Sequence, residues 1–347
     1  MPDQPGTGGD KTYRRPDRDH AATGGLDGFR LCHIWGVGPT LRRPRALRPG
    51  DRVRIVSPAS TPTRNGVAVG VDLLSSWGLE VEVGEHVFDE FAGYLAGPDD
   101  ARASDINSAF ADPAVRAIFA SRGGKGAYRL VELLDYSAID EDPKLLVGFS
   151  DITILHLAVL QRCAIPGIHG PMANWSFEFC GPSSAEQLRR AVMTTEPVQL
   201  RSDPCESTAQ LTTGGIATGP LIGGNLDMVR TAYGSYLPDL DGAILLIEDP
   251  VQDQIGRIDR SLHQLRAAGV LDRIAGVAVG NFGDITPGPG RWTVPDVLRD
   301  QLARLEVPIL GGLPLGHGLH PATAPIGPFA VLDANAGTLN IDPATAI

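Results

Sequence analysis

The chain has 347 residues, with 30 Lys and Arg against 41 Asp and Glu, so its net charge is −11. That length suits two ordinary domains, and a hydrophobic content of 42% is that of a globular protein. An acidic chain without a long basic run argues against nucleic acid or an anionic membrane as the main partner, and no apolar run approaches the roughly 18 residues that span a bilayer.

Residues 1–45 are rich in Gly, Pro, Asp and Arg and show little periodicity, so they read as a flexible extension outside any core. The Arg14-Arg15 pair could mark a twin-arginine export signal. It is followed by PDRDHAATGGLDG, which has no apolar stretch, so export is not expected. Cys32, Cys163, Cys180 and Cys205 form no C-x-x-C pair or metal-ligand spacing, which fits a reducing, cytoplasmic compartment.

The fold is expected to begin near Leu47, with a turn at Pro49-Gly50-Asp51 and a strand over 53–56. A helix over 65–77 ended by Gly78, a strand over 79–83 and an amphipathic helix over 101–110 follow. Next come a strand over 115–120, a helix over 127–134, a strand over 145–148 and a helix over 152–162. Helical segments between short apolar strands imply βαβ units and a parallel sheet over 46–175, whose ligands sit at the carboxyl ends of the strands. Residues 176–215 are looser in composition, apart from a helix near 185–193, and read as the crossing between domains. A second α/β domain over 216–347 shows strands over 243–247 and 274–279 and helices over 258–268 and 295–305, the last capped by Thr293. Strands over 329–332 and 339–341 close it around a turn at 335–337.

PKLLVGFSDITIL is the stretch around which the chemistry gathers. A serine at a strand-to-helix corner stands exposed at the end of a sheet, with the next backbone N–H aimed at any oxygen bound there. Ser150 is therefore the candidate nucleophile, although a plain helix cap explains the same corner. Acyl transfer needs a base in reach of the serine and an acid to orient that base. Glu248 ends the apolar run AILLIE, and Asp249 is its rival, expected on the opposite face. His317 lies in the Gly/Pro-rich loop GLPLGHGLHPATAPIG, with His320 and His169 as rival bases. SRGGKG, after the strand at 115–120, lacks the phosphate-loop spacing and suits an oxyanion hole, with the N–H of Gly123 beside that of Asp151. Asn225, after two glycines, is a weak substrate contact or a cap residue.

The phrases GYLAG, RGGKGAYRL, PKLLVGFSDIT, GPLIGGNLDMV, LLIED, RIDRSL and the late GH…PIG occur in order from about residue 52 to 341. Together they resemble the LD-carboxypeptidase family of serine peptidases, which includes the microcin C immunity peptidases. The resemblance implies an N-terminal flavodoxin-like parallel-sheet domain and a smaller C-terminal α/β domain. It implies a Ser150–Glu248–His317 triad, a cytoplasmic homodimer, and no metal or organic cofactor. Its murein members release terminal D-alanine from cell-wall tetrapeptides. They usually carry an aromatic residue where this chain has Lys125, so Lys125 or Arg122 becomes a candidate partner for a substrate carboxylate. The alternatives are an aminoacyl-nucleotide antibiotic as substrate, or a non-catalytic binding protein on the same scaffold.

Overall fold

The computed structural model describes residues 40–250, 255–283 and 290–347. The expected extension lies outside the described residues up to 39. Its last part, read with the extension, is attached: Arg42 donates its backbone N–H to the Ala164 carbonyl at 2.9 Å, and Arg45 pairs with Asp51.

In chain order the elements are β1 (Arg52–Val56), α1 (Arg64–Ser76), β2 (Glu80–Val83), α2 (Asp99–Ala111), β3 (Val115–Ala120), α3 (Tyr136–Glu141), β4 (Leu145–Gly148), α4 (Thr153–Cys163) and β5 (Gly167–His169). They continue with α5 (Gly181–Met193), β6 (Val198–Arg201), β7 (Ile216–Asn225), α6 (Leu226–Ala232), β8 (Ile244–Glu248), α7 (Ile255–Ala267), β9 (Gly276–Val279) and α8 (Val294–Leu302). The chain closes with β10 (Ile309–Leu310), β11 (Ala324–Ile326), β12 (Phe329–Asp333) and β13 (Thr338–Ile341).

The first sheet has the order β11-β5-β4-β3-β1-β2, parallel except for β11. Without β11 this is the flavodoxin-like order. Both faces of β3, β4 and β5 are buried, as in a parallel sheet, while the edge strand β2 is partly exposed. Alternation along the strands separates the two cores. Val53, Ile55, Phe119, Leu145 and Val147 pack on one side with α1 and α5, while Val56, Ile118 and Leu146 join the main core.

The second sheet runs β10-β9-β8-β7-β12-β13-β6. Its long strand β7 pairs antiparallel with β12 through its first half and parallel with β8 through its second. The crossing at 176–215 is thus more than a linker. Its helix α5 packs on the first sheet through Leu188 and Val192, and β6 pairs with β13 in the second. Strand β11 returns from the second half of the chain to pair with β5. Helix α4 is buried nearly all round, the signature of a helix between layers. Its first residue, Thr153, accepts the Asn225 N–H at 3.1 Å and so ties the two halves.

Local chemistry explains most boundaries. Thr63 caps α1 by accepting the Gly66 N–H, and Thr293 with Asp296 forms a capping box on α8. The helix expected over 127–134 is instead two 3-10 turns, Ala127–Arg129 and Val131–Leu133. Its start is pinned from outside: Ala127 N–H donates to Asp151 at 2.7 Å, and the Gly126 carbonyl accepts from Arg102 at 3.1 Å. A segment this short propagates no α-helix once its start is held. Among the described residues, no helix is long and apolar enough to cross a membrane.

Candidate active site

Ser150 sits between β4 and α4 with φ 62°, a left-handed backbone that costs an L-residue roughly 1–2 kcal/mol. Such strain fits the sharp corner that lifts a serine hydroxyl above a sheet. Crowding dictates the neighbours. A β-carbon on Gly148 would stand 3.0 Å from Ile152, and one on Gly123 would stand 2.8 Å from the Ser150 β-carbon. The corner therefore needs one glycine from its own strand and another from the loop after β3.

Glu248 is the last residue of β8 and is fully buried. Two glycines make room for it: a β-carbon on Gly280 would meet the Glu248 β-carbon at 3.0 Å, and one on Gly316 would meet Oε2 at 2.2 Å. Glu248 Oε2 lies 2.6 Å from His317 Nδ1, and His317 Nε2 lies 3.1 Å from Ser150 Oγ. With Nδ1–H donating to the carboxylate, Nε2 is left as the acceptor for the serine hydroxyl. The Phe149 ring stands edge-on to the imidazole, centroids 5.0 Å apart, and walls that side of the contact.

Burial pulls the His317 pKa down, but the charge and hydrogen bond of Glu248 more than offset it, so the net shift is upward. The rivals have other tasks. Asp249 is buried and ion-paired to Arg257, accepts the Asp227 N–H, and is pushed up to about 7, mainly by burial. His320 contacts the Cys180 carbonyl at 3.1 Å, away from the serine. His169, at the end of β5, is fully enclosed, and burial lowers it to about 4.

The N–H groups of Gly123 and Asp151 have no acceptor among the described residues. The Asp151 carboxylate turns away to Ala127, and burial raises it to about 6. Arg122 and Lys125 are exposed on the glycine loop. Asn225 is buried, and its side-chain oxygen caps α6 by accepting the Met228 N–H at 3.3 Å.

Two residues escaped sequence reasoning. Arg102, fully buried on α2, donates to the carbonyls of Pro58, Gly97 and Gly126, joining three loops at the carboxyl edge of the first sheet. Its one legible signal is an arginine within an amphipathic pattern. Ser60 donates its N–H to the Gly123 carbonyl at 3.3 Å, while its hydroxyl accepts from the Lys125 N–H at 3.2 Å and donates to the Tyr94 carbonyl at 2.6 Å. No motif marks it.

Comparison with known proteins matches the model of the LD-carboxypeptidase N-terminal domain to residues 53–170 and that of the C-terminal domain to residues 218–332. A putative carboxypeptidase of Synechocystis sp. is 38% identical over 303 residues, covering 86% of this chain and 96% of that protein. The murein tetrapeptide carboxypeptidase of Pseudomonas aeruginosa is 32% identical over 294 residues, covering 82% and 94% respectively. The crystal structure of an MccF-like protein from Bacillus anthracis shares the fold, with a TM-score of 0.75 at 23% identity over 86% of this chain and 99% of that one.

Proposed function

The chain belongs to the LD-carboxypeptidase family and is a serine-type hydrolase; from that premise we propose that it releases terminal D-alanine from a murein tetrapeptide, with Ser150 as nucleophile, His317 as base and Glu248 as orienting acid. The observation that carries the reading is the unbroken relay from Ser150 Oγ through the His317 ring to Glu248, with steps of 3.1 and 2.6 Å.

In the proposed reaction, His317 Nε2 takes the hydroxyl proton as Ser150 Oγ bonds to the scissile carbonyl carbon. The carbonyl oxygen, now an anion, accepts from the N–H groups of Gly123 and Asp151. Glu248, beside Nδ1, stabilises the imidazolium. Collapse of the tetrahedral species breaks the C–N bond, and the imidazolium proton goes to the leaving amine. Water then attacks the acyl-enzyme with His317 again as base, restoring the serine. Every step uses the chain's own groups and water. Asn225 is left with its amide nitrogen as the group for a substrate contact. A cytoplasmic homodimer completes the proposal, and light scattering at a mass of two chains checks its oligomeric part.

Of the two relatives described above, one is named a putative carboxypeptidase and the other a murein tetrapeptide carboxypeptidase, which favours the murein substrate. A second reading is hydrolysis of an aminoacyl-nucleotide amide: the microcin C7 self-immunity protein MccF of Escherichia coli is 25% identical to this chain, and Lys125 departs from the aromatic residue that the resemblance implies for murein-type members. The experiment is release of D-alanine from murein tetrapeptide by the wild type and by Ser150→Ala, alongside hydrolysis of an aminoacyl sulfamoyl-adenosine. Turnover of the tetrapeptide by the wild type alone supports the proposal. Turnover of only the nucleotide substrate moves the assignment to the second reading, and no serine labelling by a fluorophosphonate would leave a binding protein.

A further inference from the structure

A groove of about 560 Å³ lies beside the glycine loop, lined by Ser60, Thr61, Glu90, Phe91, Tyr94 and Arg122 among others. Phe91 and Tyr94 are 49% and 43% exposed, high values for aromatic rings, and they flank a tight turn in which Ala92 and Gly93 both have positive φ. The turn is held to the candidate site rather than hanging free. Phe91 and Leu95 exchange backbone hydrogen bonds of 2.8 and 3.0 Å, and Ser60 binds the Tyr94 carbonyl while holding both Gly123 and Lys125.

Arg122 is the cationic residue of this groove. Its guanidinium donates to the Thr61 carbonyl at 3.3 Å, and no carboxylate pairs with it among the described residues. The groove's own acid, Glu90, would repel a carboxylate, leaving Arg122 as the group that attracts one. Arg122 also adjoins Gly123 in sequence, and Gly123 is the loop residue packed against Ser150. A one-residue leaving group has its carboxylate within about 4 Å of the scissile carbonyl carbon, one Cα step along the chain. A long arginine side chain beside Gly123 spans that distance.

We infer that this groove is the leaving-group subsite and that Arg122 reads the free carboxylate at the substrate's C-terminus. A planar guanidinium matches a carboxylate with two parallel hydrogen bonds, which restricts cleavage to the last residue of a chain. The competing candidate, Lys125, does not line the groove. Its backbone is tied to Ser60 and its charge bears on Asp151. The inference rests on the carboxypeptidase reading given above and adds to it the part of the substrate that is recognised.

The test compares one tetrapeptide as the free acid and as the C-terminal amide, with the wild type, Arg122→Ala and Arg122→Lys. Release of D-alanine and of D-alaninamide is followed by mass spectrometry, and melting curves check that the variants fold. The expected wild-type preference in kcat/KM for the acid is about 10- to 100-fold. Arg122→Ala should bring that ratio close to one, and Arg122→Lys, which keeps the charge without the fork, should fall between. A preference for the acid that survives in Arg122→Ala, or equal wild-type rates on both peptides, overturns the subsite and leaves the peptidase reading standing. No turnover of either peptide by the wild type overturns that reading and the subsite with it.

Discussion

The Glu248 carboxylate lies so close to Gly316 that a β-carbon at position 316 would stand 2.2 Å from Oε2. Gly316 also has φ 96°, and the next residue is the histidine that the carboxylate orients. Gly316→Ala therefore strikes backbone and carboxylate together. A displacement of about 1 Å at such a site costs on the order of 10²-fold in rate. We expect at least that loss in kcat together with a lower melting temperature. Near wild-type turnover would show that the His317–Glu248 contact has slack.

The pH profile follows from His317. Its pKa is raised, and the base must be neutral, so kcat/KM should fall as pH drops through an apparent value above 6.5. Glu248→Gln removes the charge that raises it and leaves the burial that lowers it. The remaining activity should then persist to lower pH, with the inflection below 6.5, at a rate about 10⁴-fold lower. An unmoved inflection would assign the titration to another group.

Asp249→Asn is the control for the rival acid. Asp249 faces Arg257 and the Asp227 N–H rather than the imidazole. We expect less than about a tenfold loss in kcat, small beside the roughly 10⁴-fold effect expected at Glu248. Equal losses at the two positions would mean that the acid is shared between them.

Strain at Ser150 predicts opposite effects on stability and activity. Ser150→Gly relieves a positive φ and should raise unfolding stability by roughly 1 kcal/mol, read from a urea midpoint at unchanged slope. The same variant removes the nucleophile, which costs on the order of 10⁶-fold in kcat in serine hydrolases. A destabilised Ser150→Gly would mean that the corner is held without strain.

Local pattern carried much of this protein. Strands β3 and β4 run over the residues that apolar composition indicates, and Thr293 caps α8 because its chemistry acts within one turn. Alternation of short strands and helices was sufficient for a parallel sheet, because a helix between two strands carries the chain back to the same end of the sheet and so leaves the next strand parallel to the last. Ordered phrases resembling a known family pointed to Ser150, Glu248 and His317 as a set, where each alone is ambiguous. The segment at 127–134 resisted the same treatment because its start is held by Asp151 and Arg102, which lie elsewhere in the chain.

Tertiary structure alone decided the rest. Strands β5, β6 and β11 have three or four residues each, too few for periodicity to register, and they exist because a sheet edge offers unpaired N–H and C=O groups. Ser60 and Arg102 became loop anchors through partners distant in sequence, whereas the Asn225 cap on Met228 is a local contact. The choice of Glu248 over Asp249 rests on which face of a strand end meets His317. Sequence by itself determined which residues can do chemistry, since that is a property of side chains. Which of them meet is a matter of angstroms, and only packing two sheets around α4 sets those.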